Sequence, residues 1–245
     1  MKLKLIVLLG MVYFFSACST KPNKNSGSET SSENDGIEIV YRPYKNTTDL
    51  IEYEIPVVKG TSIKHGIQKR YNRNGSLYST IPYLRGMRED TAYTYYMAAE
   101  GVEPKVWKEQ VYENDELNGI CRRFHENGVL QAEYEYKKGL PAIGLKEYST
   151  SGKELEQPTL IVTTNKVHSG FYVSAKLSKS MSNVDFYLGD LVEGKYLPEG
   201  LKGLQIKNGL GEVIVENGTT KVTISAIYST RYRNRGILTK TIHLE

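Results

Sequence analysis

A chain of 245 residues has room for about two domains. Its formal charge of +4 includes Lys2 and Lys4, and lysines, arginines and acids are interspersed along the rest. No concentrated basic stripe exists to hold a polyphosphate, so nucleic acid is excluded as a partner. Two cysteines are too few for a disulfide framework, and the fold must stand on its core.

Lys2 and Lys4 introduce an almost wholly apolar run from Leu5 to Phe15, the layout of an export signal. The run is shorter than the roughly 20 apolar residues that cross a bilayer. Phe15-Ser16-Ala17-Cys18 closes it and resembles the cleavage box of bacterial lipoproteins. That resemblance implies a signal peptide over residues 1–17, a lipid on the Cys18 thiol and a membrane lipid as the first partner. Several acyl chains, each methylene worth about 0.8 kcal/mol, amount to stable anchoring. The expected location is the bacterial cell envelope, on a membrane outside the cytoplasm. If Cys18 is consumed by lipid, Cys121 has no intrachain partner and is expected as a half-buried strand cysteine.

Residues 18–36 carry Ser, Thr, Asn, Lys, Glu and Gly with hardly an apolar side chain, too little to offset the entropy of ordering them. They read as a flexible tether with a root-mean-square reach of roughly 20 to 25 Å.

Residues 37–157 repeat. The segment His65-Gly66-Ile67-Gln68-Lys69-Arg70-Tyr71-Asn72-Arg73-Asn74-Gly75-Ser76-Leu77 aligns without a gap to residues 118–130, with Tyr83 matching Tyr136 and Gly86 matching Gly139. A shortened copy spans residues 144–152, so the unit is about 26 residues long. An eroded unit is expected near Asp90, where Tyr95, Tyr96, Gly101 and Tyr112 fall in place, and a half-unit over Ile51–Gly60. Asn74-Gly75 and Asn127-Gly128 predict type I′ hairpin turns, because both residues tolerate positive φ. Gly86 and Gly139 serve the return turns, giving a meander of hairpins. Period two places Ile67, Lys69 and Tyr71 on one face and Gln68 and Arg70 on the other. A lone hairpin is marginal in water, so the units must stack into one elongated antiparallel sheet.

The order Gly, aromatic, Asn-Gly and Tyr resembles the MORN-type repeat in its bacterial variant form over about residues 50–157. Proteins with such repeats are often labelled antitoxin components of toxin–antitoxin systems. The resemblance therefore implies protein binding and transfers no catalytic residue.

Residues 158–245 change texture. Seven short β-prone runs, from Leu160–Thr164 to Ile237–Leu244, predict a small β-sandwich of immunoglobulin-like topology. Phe171, Val173, Ala175 and Leu177 alternate with polar neighbours, as do Val222, Ile224 and Ala226, so one face of each strand is buried. The fold class is all-β throughout.

No Gly-x-Ser-x-Gly elbow, His-Glu-x-x-His or phosphate loop is present. His65 and His125 fall at turns of the repeat, where a polar ring is solvated, and His168 and His243 stand far from them in sequence. The reading is a non-enzymatic protein without cofactor or metal. Two concentrations of side chains remain as candidate contacts for a protein partner. One is the ring set Tyr71, Tyr83, Phe124, Tyr134 and Tyr136, flat and amphipathic. The other is Arg231-Tyr232-Arg233-Asn234-Arg235, a basic hairpin tip suited to phosphate or carboxylate groups. The expected function is a lipid-anchored scaffold acting through protein–protein interaction. Neutralisation of a toxin and glycan binding by exposed tyrosines are the alternatives.

Overall fold

A computed structural model describes residues 36–244; the signal peptide 1–17, Cys18 and the tether as far as residue 35 lie outside the described residues. Among the described residues there is no helix. Twelve strands form the first sheet: β1 (Ile37–Pro43), β2 (Ile51–Val58), β3 (Gly66–Tyr71), β4 (Leu77–Leu84), β5 (Met87–Arg88), β6 (Asp90–Tyr95), β7 (Val106–Glu113), β8 (Glu116–Leu117), β9 (Gly119–Phe124), β10 (Leu130–Lys137), β11 (Leu140–Pro141) and β12 (Lys146–Glu147). The long strands pair strictly in chain order, all antiparallel.

Four hairpins build this sheet: β1–β2, β3–β4, β6–β7 and β9–β10. The eroded unit near Asp90 is a complete one. Gly66 faces Tyr83, Asp90 faces Tyr112 and Gly119 faces Tyr136. At these three starts φ is 110°, 71° and 112°, so Asp90 occupies the left-handed position that glycine holds in its sister units. The half-unit over Ile51–Gly60 is the second arm of a hairpin whose first arm is β1.

The turns differ from the expectation. Asn72 N–H donates to Ser76 O at 2.8 Å and Gly75 N–H to Asn72 O at 2.9 Å, which closes a three-residue loop with Gly75 alone at positive φ, 79°. His125–Val129 repeats this arrangement with Gly128 at 86°, and Ser149–Lys153 with Gly152 at 82°. Asn74 and Asn127 keep ordinary backbone angles and use their side chains instead. Each Oδ1 accepts from the second residue onward, and each Nδ2 reaches a carbonyl of the next unit, Ala98 O at 2.8 Å and Thr150 O at 2.9 Å. The type I′ pattern, two successive positive φ values, belongs to the return turns Arg85-Gly86, Asn114-Asp115 and Lys138-Gly139.

Each hairpin also carries one bulge, opposite Pro43, Tyr71, Tyr95 and Phe124. The extra residues are Glu52, Tyr78, Trp107 and Gln131. A bulge breaks the in–out alternation and re-aims the residue it inserts.

Two further sheets follow: β13 (Leu160–Val167), β14 (Gly170–Leu177), β15 (Ser182–Leu188), β16 (Lys202–Gly203), β17 (Gln205–Lys207), β18 (Leu210–Glu216), β19 (Lys221–Ser229) and β20 (Arg235–His243). Their orders are β13-β14-β18-β17 and β16-β15-β19-β20. The alternating residues expected on inner faces meet in one core: Val173 and Ala175 from the first sheet against Phe186, Val222, Ile224 and Ala226 from the second. Each fully buried aliphatic or aromatic side chain contributes roughly 1.5–3 kcal/mol.

The opposite face of β19 is buried as well. Ile227 and Ile237 pack with Leu197 and, at the margin, Ile143 of the segment after β11. Backbone bonds from Leu197 N–H to Pro141 O and from Ile143 N–H to Lys195 O stitch that contact. The C-terminal sheets thereby close one end of the repeat sheet.

Candidate interaction surface

Register and alternation sort the repeat sheet into two faces. The first carries a row across nine strands: Tyr41, Glu54, Lys69, Thr80, Tyr93, Glu109, Arg122, Glu133 and Lys146. Charges in this row answer one another. Lys69 lies 3.4 Å from Glu54, and Arg122 lies 3.0 Å from Glu133 and 3.7 Å from Glu109.

The second face carries Arg42, Tyr53, Arg70, Ser79, Thr94, Lys108, Arg123, Ala132 and Glu147 in the same way. Here cations stack on rings. Arg42 lies 4.1 Å and Arg70 5.4 Å from the Tyr53 ring centre, and Arg70 is 5.0 Å from Tyr78. Lys108 lies 4.3 Å and Arg123 5.3 Å from Trp107, which tilts against Tyr96 at 6.2 Å. Glu52, Tyr78 and Trp107 reach these arginines because the bulges turn them to this side. Glu52 neutralises Arg70, with Nη2 to Oε1 at 2.9 Å. Among the described residues no carboxylate lies in ion-pair distance of Arg42, Lys108 or Arg123. Burial first, and the Arg123 charge second, hold Lys108 below the usual lysine range. The acid of this row, Glu147, is 3% exposed and already engaged. The face therefore has uncompensated positive charge beside aromatic rings, an arrangement that attracts acidic and aromatic groups.

The five rings singled out in the sequence do not share one patch. Tyr71 and Phe124 point to the first face, and Tyr83, Tyr134 and Tyr136 to the second. Tyr71 OH donates to Glu54 Oε2 at 2.5 Å, and burial followed by that bond raises its pKa. Tyr71 also lines a hollow of about 400 Å³ with Tyr41, Leu50 and Glu54. Phe124 offers its carbonyl to Tyr96 OH at 2.8 Å. Lys64 covers the Tyr83 ring at 4.4 Å. Tyr134 and Tyr136 meet edge to face at 6.0 Å, and burial raises both phenols.

The arginine tip is a docking element. Thr230 N–H donates to Asn234 O and Arg233 N–H to Thr230 O, the same three-residue loop as in the repeats, with Arg233 at φ 59°. Tyr232 meets the His125 ring edge to face at 5.2 Å, and Arg123 Nη1 donates to Asn234 Oδ1 at 2.5 Å. Arg231, Arg233 and Arg235 remain exposed around it. His125 is buried instead of solvated, its Nε2 2.8 Å from Tyr148 O. Cys121 is fully buried, beyond the half-burial expected, because it sits at the inward position at which Gln68 and Ala92 are also buried in the other units. Among the described residues no group of three or more His, Cys, Asp and Glu side chains could hold a metal ion.

Sequence reading passed over Arg70, Arg123, Lys108 and Trp107. A signal was present in the basic pairs Lys69-Arg70 and Arg122-Arg123, whose members alternation sends to opposite faces. The family description "MORN repeat variant" matches residues 64–84 and 117–138. The chain carries MORN-variant repeats at these two positions. The MORN-variant segments are the β3–β4 and β9–β10 hairpins with their flanks, and β6–β7 between them has the same build without a match. Neither a curated protein nor a solved structure matches the chain.

Proposed function

We propose that this protein is a lipid-anchored scaffold of the bacterial cell envelope that holds another protein against its repeat sheet. The observation that carries the reading is the second face, where Arg42, Lys108 and Arg123 stand over Tyr53 and Trp107 with no carboxylate partner among the described residues. MORN repeats generally serve protein or membrane interaction. Stacked cations cover the ring faces that a sugar would need, which favours an acidic protein surface over a glycan. Phe15-Ser16-Ala17-Cys18 supplies the anchor and residues 18–36 the reach from the membrane. The strand orders β13-β14-β18-β17 and β16-β15-β19-β20 support an immunoglobulin-like arrangement of the terminal sheets, there to close the sheet end. Binding, not catalysis, is the activity proposed.

Crosslinked pull-down from membranes tests this. The full chain should enrich a protein that is lost when Lys108 is replaced by serine. No enriched protein, or equal recovery by the variant, sinks the reading. An immunity-type role would use the same face against a toxin; it requires that deletion of the protein sensitise the cell to that toxin.

A further inference from the structure

The two ends of the repeat sheet are unlike. At the far end the C-terminal sheets cover β10 and β11 through Leu197, Ile143 and Tyr196. At the near end every residue of β1 is exposed, including Ile37, Ile39, Val40 and Tyr41 at 46%, 48%, 45% and 58%. A long apolar edge of this kind is a template for another strand.

Backbone geometry fixes which groups it offers. Lys59 N–H donates to Gly36 O at 2.7 Å, so in the register that follows, Glu38, Val40 and Arg42 turn their backbone groups to β2. Ile37, Ile39 and Tyr41 turn theirs outward, with the Pro43 carbonyl. A two-fold antiparallel pairing must set outward residues against outward residues, so its axis can fall at Ile39, Val40 or Tyr41. At Val40, Ile39 and Tyr41 exchange both bonds with their counterparts, and Ile37 N–H reaches the Pro43 carbonyl. On one face Glu38 then lies directly opposite Arg42 twice; on the other, Ile39 lies opposite Tyr41 twice. An axis at Ile39 sets Glu38 against Val40, and one at Tyr41 sets Arg42 against Val40, leaving the charges unmatched. Among the described residues neither charge has an ion-pair partner. Arg42 has no carboxylate partner among the described residues, and Glu38 accepts from the Gly60 N–H at 3.2 Å.

We infer that β1 pairs with β1 of a second copy of this chain, antiparallel about a two-fold axis at Val40, joining two repeat sheets into one continuous sheet closed at both ends by the C-terminal domains. The pairing is isologous and closes on itself, so it yields a dimer and no fibre. A single strand pair buries less than a standard interface, and the association is correspondingly weak.

Analytical ultracentrifugation of the full chain tests the register through charge. The wild type should show an apparent mass rising about twofold with concentration. Glu38→Arg alone and Arg42→Glu alone should each stay monomeric, because each sets like charges opposite one another. Their equimolar mixture should dimerise again. In the mixed pair the arginine introduced in one chain meets the glutamate introduced in the other, and the unaltered Arg42 of the first meets the unaltered Glu38 of the second. All these positions are exposed, and circular dichroism confirms that the variants fold. Val40→Cys should give, on oxidation, two copies disulfide-linked through that position, the opposed Cα atoms being about 4.5 Å apart, and Ile37→Cys should not. A wild type that stays monomeric, single variants that dimerise as the wild type does, or a mixture that fails to restore the dimer would overturn the inference.

Discussion

The Asn234 side-chain amide donates to the Glu147 carboxylate at 2.6 Å, across a span of 87 residues. Thr230 Oγ1 donates to the same oxygen at 2.6 Å, and Arg123 reaches the other end of Asn234. The hairpin tip of the C-terminal sheets is thus held in the repeat sheet by a buried carboxylate that has no cationic partner among the described residues. Charge-assisted bonds of this sort are the stronger class, and their donors lose more when left unpaired in a dry site.

Glu147→Ala should accordingly cost about 2–4 kcal/mol, with two buried donors orphaned, while Glu147→Gln, which keeps an acceptor, should cost about 1 kcal/mol. Urea unfolding midpoints of the two variants measure the difference. Equal losses would mean that the acceptor kept by glutamine does not satisfy Asn234 and Thr230, and would overturn this account.

Arg233 stands at φ 59° where Gly75, Gly128 and Gly152 close the same loop at 79°, 86° and 82°. A side chain in the left-handed region costs about 1–2 kcal/mol, offset in part by the extra chain entropy of glycine. Arg233→Gly should therefore raise stability by about 0.5–1 kcal/mol, and Gly128→Ala should lower it by a similar amount. Thermal denaturation of both reads the two signs, which must be opposite.

These loops also mark what the sequence could convey. Glycines at fixed spacing located the β3–β4 and β9–β10 hairpins, and alternation located the core of the C-terminal sheets through Val173, Ala175, Val222 and Ile224. Asn-Gly did not reveal loop length, since two-residue and three-residue loops both need a left-handed glycine. Asp90 disguised a third unit by filling a glycine position with a residue whose short side chain tolerates it. The candidate face was harder still. Its rows exist only through pairing registers between residues about 9 to 17 positions apart, and the bulges at Tyr78 and Trp107 invert the alternation that a one-dimensional reading relies on.

Cys121 is fully buried, and burial pushes its thiol pKa up. Thiolate is the reactive form, so the native protein should leave this residue unmodified by iodoacetamide at mildly alkaline pH. Unfolding in guanidinium should expose it to complete reaction, read by mass spectrometry of the peptide that contains it. Rapid native labelling would contradict the packing described around the β9–β10 pair.

Tyr228 is 1% exposed, donates to Gln157 Oε1 at 3.0 Å, and has its pKa pushed up from 10.0 to about 12, by burial first and by the Glu147 charge second. Below the unfolded value the phenol is protonated in both states, and its contribution to stability is complete. Between about pH 10 and 12 the unfolded chain releases this proton while the folded chain retains it, so stability falls as pH rises through that window. Tyr228→Phe removes the titration and one hydrogen bond worth about 1 kcal/mol. Its stability should be lower than that of the wild type near neutrality and decline less steeply above pH 10, as urea midpoints across that range will read. Parallel declines in both proteins would place the alkaline sensitivity in other groups, such as Tyr134 and Tyr136, whose phenols burial also raises.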